Sequence, residues 1–231
     1  MEKTEKNKKS ISKFNTLSKS KKTITITNMI IILSFCLFLL GYGIIYMSIK
    51  EGFSSFVIRS IALIFCYMMP LLLQIIFKTR ISPSLVLFYL GYLSLAGFCG
   101  SLFGLYGYIP NGDKIIHFIW GYIACFIGLY ILCKTHDIDQ MKPFTKIIVI
   151  FSISLATASI WEIIEFASDV FFDMSSQGTR INGITPLDDT MIDTLCHLGG
   201  TIIFMLHYTL EKIFHKNLGI TSIIKDFKTN Y

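Results

Sequence analysis

The chain has 231 residues, 53% of them hydrophobic and 16% charged, with a formal net charge of +6. Its mean hydropathy of +0.61 argues against a water-soluble domain of this size and for an integral membrane protein. The positive charge does not suggest a nucleic-acid partner, because its placement along the chain matters more than its size.

Taken in chain order, residues 1–22 form a Lys/Ser/Thr/Asn run from Lys3 to Lys22 without apolar periodicity. This tail is expected to be disordered or to lie on anionic membrane lipids. A six-span membrane domain over 23–214 follows, then a basic C-terminal tail over 215–231. The spans are predicted at 26–48, 56–77, 84–106, 115–133, 144–167 and 191–213, since about 18 or more apolar residues cross ~30 Å of hydrocarbon. The first has no cleavage signal after it and reads as a retained anchor. Lys78 and Arg80 fill the second connection, and Lys134, Lys142 and Lys146 surround the fourth. Lys212, Lys216, Lys225 and Lys228 close the chain, while the other connections offer only Lys50, Lys114 and Arg180. The positive-inside rule then puts both termini in the cytoplasm, consistent with an even number of spans. The fold class is all-α.

The third span carries Gly100 and Gly104, a GxxxG pair that suits close helix packing within the chain or a homodimer face. The six cysteines lie in apolar segments without CxxC spacing and read as packing residues. Arg59 and Arg180 read as a snorkelling side chain and a candidate anion binder.

The chemistry gathers on the last three spans. The fourth opens with Asp113 and His117, one helical turn apart on one face. The fifth ends with Glu162, Glu165 and Asp169, spaced i, i+3 and i+7. The sixth opens with Asp189, Asp193 and His197, spaced i, i+4 and i+8, followed by Gly199 and Gly200, which admit a close neighbour. Asp188 reads as a boundary residue, and His207 as a helix–helix hydrogen bonder. Consecutive spans run antiparallel, so the three stripes should share the outer face. The loop over 168–190 joins the two carboxylate-rich spans and suits a lid. Ionisable groups near the hydrocarbon are costly and usually functional.

Crowded carboxylates with imidazoles suit a divalent metal ion such as Zn, Mn or Mg. The candidate ligands are Asp113, His117, Glu165, Asp189, Asp193 and His197, with Glu162 as general base. A purely structural polar network is the alternative reading. A proton- or cation-coupled transporter is another, although no acidic path is evident through the inner half.

The order Asp113-Lys114-x-x-His117-Phe118, Trp161-Glu162-x-x-Glu165 and Asp189-Thr190-x-x-Asp193 resembles the YjdF-type bacterial inner-membrane proteins over roughly 110–200. A more distant likeness is to VanZ-like proteins, associated with resistance to glycopeptide and lipopeptide antibiotics. The chain departs from the VanZ pattern at Glu165, where Gln is expected. It departs from the YjdF pattern at His197, where a small residue is expected. The resemblance implies a bacterial plasma membrane location and no assigned activity. Together, the cluster and its sidedness suggest hydrolysis or transfer on a lipid or lipid-linked envelope substrate.

Overall fold

In the computed structural model, the described residues are 27–42, 53–76, 81, 83–102, 108–135, 138–178 and 185–229. All regular structure among them is helical. Helix α1 is Thr27–Tyr42, α2 Phe53–Ile76 and α3 Pro83–Leu93, which continues as a π-helical stretch, Ser94–Leu102. Then come α4 (Gly112–Thr135), α5 (Pro143–Phe172), α6 (Pro186–Phe214) and α7 (Ile220–Thr229). Among the described residues, three helices are long and apolar enough to cross a membrane: the Arg59–Ile76 part of α2, then α4 and α5. Helix α1 and Leu85–Gly100 are apolar but shorter. Helix α6 has the length, with 29 residues, but its carboxylates and Lys212 lower its hydropathy. The basic segment 1–22, Gly104 and Arg180 lie outside the described residues.

The described chain divides into two compact units, one reaching to Leu102 and one over Phe103–Thr229. In the first, Pro70 stands inside α2 and has no N–H to give the Cys66 carbonyl one turn back. The Tyr89 hydroxyl donates to that carbonyl at 3.1 Å. Buried Asn28 donates to Gln74 Oε1 at 3.1 Å and to the Ile81 carbonyl at 2.7 Å, and the Ile81 N–H donates to Gln74 Oε1 at 3.2 Å. These bonds tie the start of α1 and the approach to α3 to the end of α2. Gly97 faces Leu63, and Phe98 packs edge-on to Tyr42. Gly100 is buried on the π-helical stretch, whose i→i+5 bonding shifts the one-face register that a GxxxG pair has on an α-helix.

In the second unit α4 is central, with α5 and α6 packed along it and α7 across its C-terminal end. Helices α5 and α6 both begin with proline, which is pre-set for the first turn. Thr185 and Asp188 form a capping box on α6: Thr185 Oγ1 accepts from the Asp188 N–H at 3.2 Å, and Asp188 Oδ2 accepts from the Thr185 N–H at 2.8 Å. Asp188 thus serves the helix start, and Thr-x-x-Asp is its sequence signal. Helices α4 and α6 touch backbone to backbone. A methyl built on Gly121 would stand 1.9 Å from the His197 carbonyl oxygen, and one on Gly200 would stand 1.9 Å from that of Phe118. Gly128 makes a similar, looser approach to Ile150 of α5, at 2.9 Å from its Cα. Below this crossing Phe204 packs edge-on between Tyr122 and Phe126.

The segment read as a C-terminal tail carries a docked helix. Ile220, Ile224 and Phe227, at i, i+4 and i+7, form one buried stripe on α7. Phe227 packs edge-on to Tyr130 with centroids 5.2 Å apart, and Lys134 Nζ donates to its carbonyl at 2.7 Å. Lys228 pairs with Asp139 at 2.5 Å, and this hydrogen bond holds the Asp139 carboxyl below its usual range.

Candidate functional site

The first two turns of α4 place Asp113, Lys114 and His117 against the start of α6. Asp113 is well placed there, since a carboxylate at a helix N-terminus meets the positive end of the helix dipole. On α5, the buried residues Ile150, Ser154, Ala158 and Glu162 recur every four positions and form one inward stripe. On α6 the inward stripe begins with Asp193, His197 and Thr201, each four residues from the last.

These stripes converge on His117, which is 7% exposed. Its Nε2 lies 3.6 Å from Asp113 Oδ1 and 3.9 Å from Asp193 Oδ2, while its Nδ1 lies 3.9 Å from Glu162 Oε1. All three distances exceed an ordinary hydrogen bond. The two from Nε2 are somewhat longer than the ~3.4 Å separating two ligand atoms on a tetrahedral ion with ~2.1 Å bonds, whereas Glu162 faces the other ring nitrogen, which the same ion cannot share. Asp113, His117 and Asp193 each offer one ligand atom, all within 4.8 Å of one another. Glu162 borders this group. Its carboxyl is buried, and Oε2 has no hydrogen-bond partner. A buried carboxylate oxygen in that state is costly and fits a site that takes up a cation or a proton. The donor set, one imidazole with carboxylates, suits a Zn or Mn ion and tolerates Mg.

Lys114 reaches into the same carboxylates. Its Nζ lies 2.5 Å from Asp189 Oδ1, 2.8 Å from both Asp193 oxygens and 3.3 Å from Asp113 Oδ2. Asp189 therefore joins the cluster through Lys114. Next to it, Gly178 (φ +77°) ends the turn after α5, and a methyl built there would stand 3.3 Å from Asp189 Oδ2.

The other sequence candidates sit elsewhere. His197 is fully buried one turn deeper, with Nε2 3.0 Å from Ser154 Oγ, which in turn is 2.9 Å from Thr201 Oγ1. Both hydroxyls lie near the Gly121 carbonyl, at 3.2 and 3.3 Å, and His197 Nδ1 has no partner. Glu165 Oε1 accepts from Trp161 Nε1 at 2.9 Å. Asp169 accepts from the N–H groups of Ser176 and Gln177 at 2.6 and 3.0 Å and so holds the turn after α5. Gln177 Nε2 donates to Thr190 Oγ1 at 2.8 Å, closing that turn onto α6. His207 Nδ1 meets the Tyr122 hydroxyl at 2.6 Å, a bond between α6 and α4.

Three participants were missing from the sequence reading of the site: Lys114, Ser154 and Thr201. Lys114 stands inside the Asp-Lys-x-x-His motif, where its charge was counted only for topology. Ser154 sits two turns before Glu162, and Thr201 one turn after His197, so the same periodicity reaches both.

The chain matches no curated protein and no solved structure. One family model, described as a predicted membrane protein (DUF2238), matches residues 28–212. That span holds α1 through nearly all of α6, and with them every residue of the cluster, in a YjdF-like family. The chain belongs to the DUF2238 family of predicted membrane proteins.

Proposed function

We propose that this is a six-span bacterial plasma-membrane protein with both termini in the cytoplasm and an outward-facing divalent-metal site. Its activity in this reading is hydrolysis or transfer on a lipid or lipid-linked envelope substrate. The observation that carries it is the approach of one ligand atom each from Asp113, His117 and Asp193 to within 4.8 Å, on two helices locked at a glycine crossing. The lysine distribution supports the outward placement. A bound ion would polarise a phosphoryl or ester oxygen and acidify a water. Glu162 is the general base in this reading: its Oε1 lies 3.9 Å from His117 Nδ1, and its other oxygen, Oε2, has no partner and can take a proton. Asp189 holds Lys114, and His197 with Ser154 and Thr201 fixes the height of α6 beneath the ligands. Glu165 and His197 lie outside the group that meets, Glu165 beside Trp161 and His197 one turn deeper against Ser154. Kinship with VanZ-like proteins rests on the motif order alone.

Metal analysis of the purified protein beside a His117→Ala, Asp193→Ala double variant tests the reading. The native chain should carry a stoichiometric divalent ion and the double variant nearly none. Equal, near-zero metal in both would sink the proposal.

Transport is the second reading, and one observation favours it. Polar groups continue inward from the cluster through His197, Ser154 and Thr201, and again at Tyr122 and His207. A proton- or cation-coupled carrier should show cation-dependent solute uptake in proteoliposomes that Glu162→Gln abolishes. Uptake indifferent to that change removes this reading.

A further inference from the structure

Lys114 touches three carboxylates, and two of them, Asp113 and Asp193, are members of the candidate ligand group. We propose that Lys114 is a tethered counter-ion, which a divalent cation must displace from Asp113 and Asp193 in order to bind. This rests on the metal reading above and adds to it a built-in competitor.

The geometry makes the competition direct. Both oxygens of Asp193 lie 2.8 Å from the Lys114 ammonium, and one of them, Oδ2, is also the oxygen nearest His117. An ion coordinated by Asp193 at ~2.1 Å would share that oxygen with the ammonium. Two positive centres cannot sit so close at low dielectric without strong repulsion. Asp113 is divided: Oδ2 faces Lys114, while Oδ1 faces His117. The third carboxylate, Asp189, lies outside the ligand group and holds Lys114 most closely, at 2.5 Å. It gives the ammonium a place to stay when the other two turn to an ion. The Lys114 side chain is 19% exposed on a flexible four-carbon stem, so this shift needs no backbone movement. The carboxylates of Asp113, Asp189, Asp193 and Glu162 outnumber the single lysine, so the cluster has negative charge enough for the ion and the displaced ammonium together.

The test uses the full-length protein in detergent, with Mn²⁺ as probe and free Mn²⁺ read by its paramagnetic resonance. Lys114→Met should bind Mn²⁺ about 10-fold or more tightly than the native chain, a ratio corresponding to the loss of one close like charge. In the native chain, adding Mn²⁺ should raise the rate at which Lys114 is acylated by an amine reagent, read by mass spectrometry. A folded Lys114→Met that binds no tighter than the native chain overturns the proposal. Should that variant fail to fold, Lys114 labelling unmoved by bound Mn²⁺ overturns it instead. Mn²⁺ bound by neither the native chain nor Lys114→Met is a separate result: it refutes the metal reading, and the counter-ion goes with it.

Discussion

Gly200→Ala and Gly121→Ala are each expected to force α4 away from α6 and to lower the thermal midpoint of the detergent-solubilised protein by roughly 2–12 °C. The added methyl would stand 1.9 Å from a backbone carbonyl oxygen in either case, Phe118 for Gly200 and His197 for Gly121. A flexible side chain can swing aside, but a helix backbone can only retreat as a whole. Overpacking of this kind typically costs ~1–3 kcal/mol and sometimes more, and ~2–4 °C per kcal/mol is usual at this chain length. The same retreat pulls His117 away from Asp193, so under the metal reading ion binding should fall with stability. Two other glycines supply the contrast. At Gly199 the methyl meets the Phe118 ring at 3.3 Å, which can turn, and at Gly91 it meets nothing within 4 Å. Gly91→Ala should be neutral, or gain ~0.5–1 kcal/mol from reduced backbone freedom in the unfolded chain. Equal midpoints for Gly200→Ala and Gly91→Ala would show that the helices do not approach so closely.

Glu211→Ala should release α7. This carboxylate is 2% exposed and accepts from the N–H of Ile220 at 3.1 Å and of Thr221 at 2.8 Å. It also accepts from the Leu218 N–H and from Thr221 Oγ1. Those N–H groups lie at the start of α7, where no helical carbonyl is available to them. The negative charge also complements the positive end of the helix dipole. A ten-residue helix is marginal alone, so its docking decides whether it exists. Losing several charge-assisted bonds at a buried site is worth roughly 3–5 kcal/mol. Hydrogen–deuterium exchange over 218–229 should accelerate strongly in Glu211→Ala and partly in Glu211→Gln, whose amide keeps one acceptor oxygen. Unchanged protection in Glu211→Ala would mean that the stripe of Ile220, Ile224 and Phe227 holds the helix without the cap.

Much of the site was legible because helical spacing is local. Asp113 and His117 sit one turn apart and face the same way, as do Asp189 and Asp193, and the structure brings Asp113, His117 and Asp193 together. The wider set, read as one cluster, separates by depth and by rotation. His197 follows Asp193 by one turn, ~6 Å along the axis, and at that height it faces Ser154 and Thr201. Glu162 and Glu165 are three residues apart, yet Glu162 points inward while Glu165 lies beside Trp161. Asp169 and Asp188 flank the connection between α5 and α6, and local backbone N–H groups claim them. The basic, weakly amphipathic C-terminal segment suits an interfacial helix, but its docking on Tyr130 and Lys134 is not legible, because those partners lie far away along the chain on α4.

Taken alone, the sequence determines that this is a helical membrane chain, and that acid–imidazole pairs occupy single faces of its last helices. Composition and short-range periodicity suffice for both, since each depends only on neighbours along one helix. The tertiary structure alone decided that Lys114 stands among the carboxylates, that Asp113, His117 and Asp193 are the three that meet, and that His197 serves a buried hydroxyl network. Those outcomes depend on the height and rotation at which α4 and α6 cross. Gly121 and Gly200 set that crossing by letting two backbones touch, Gly121 against His197 and Gly200 against Phe118, contacts between distant residues that no local pattern encodes.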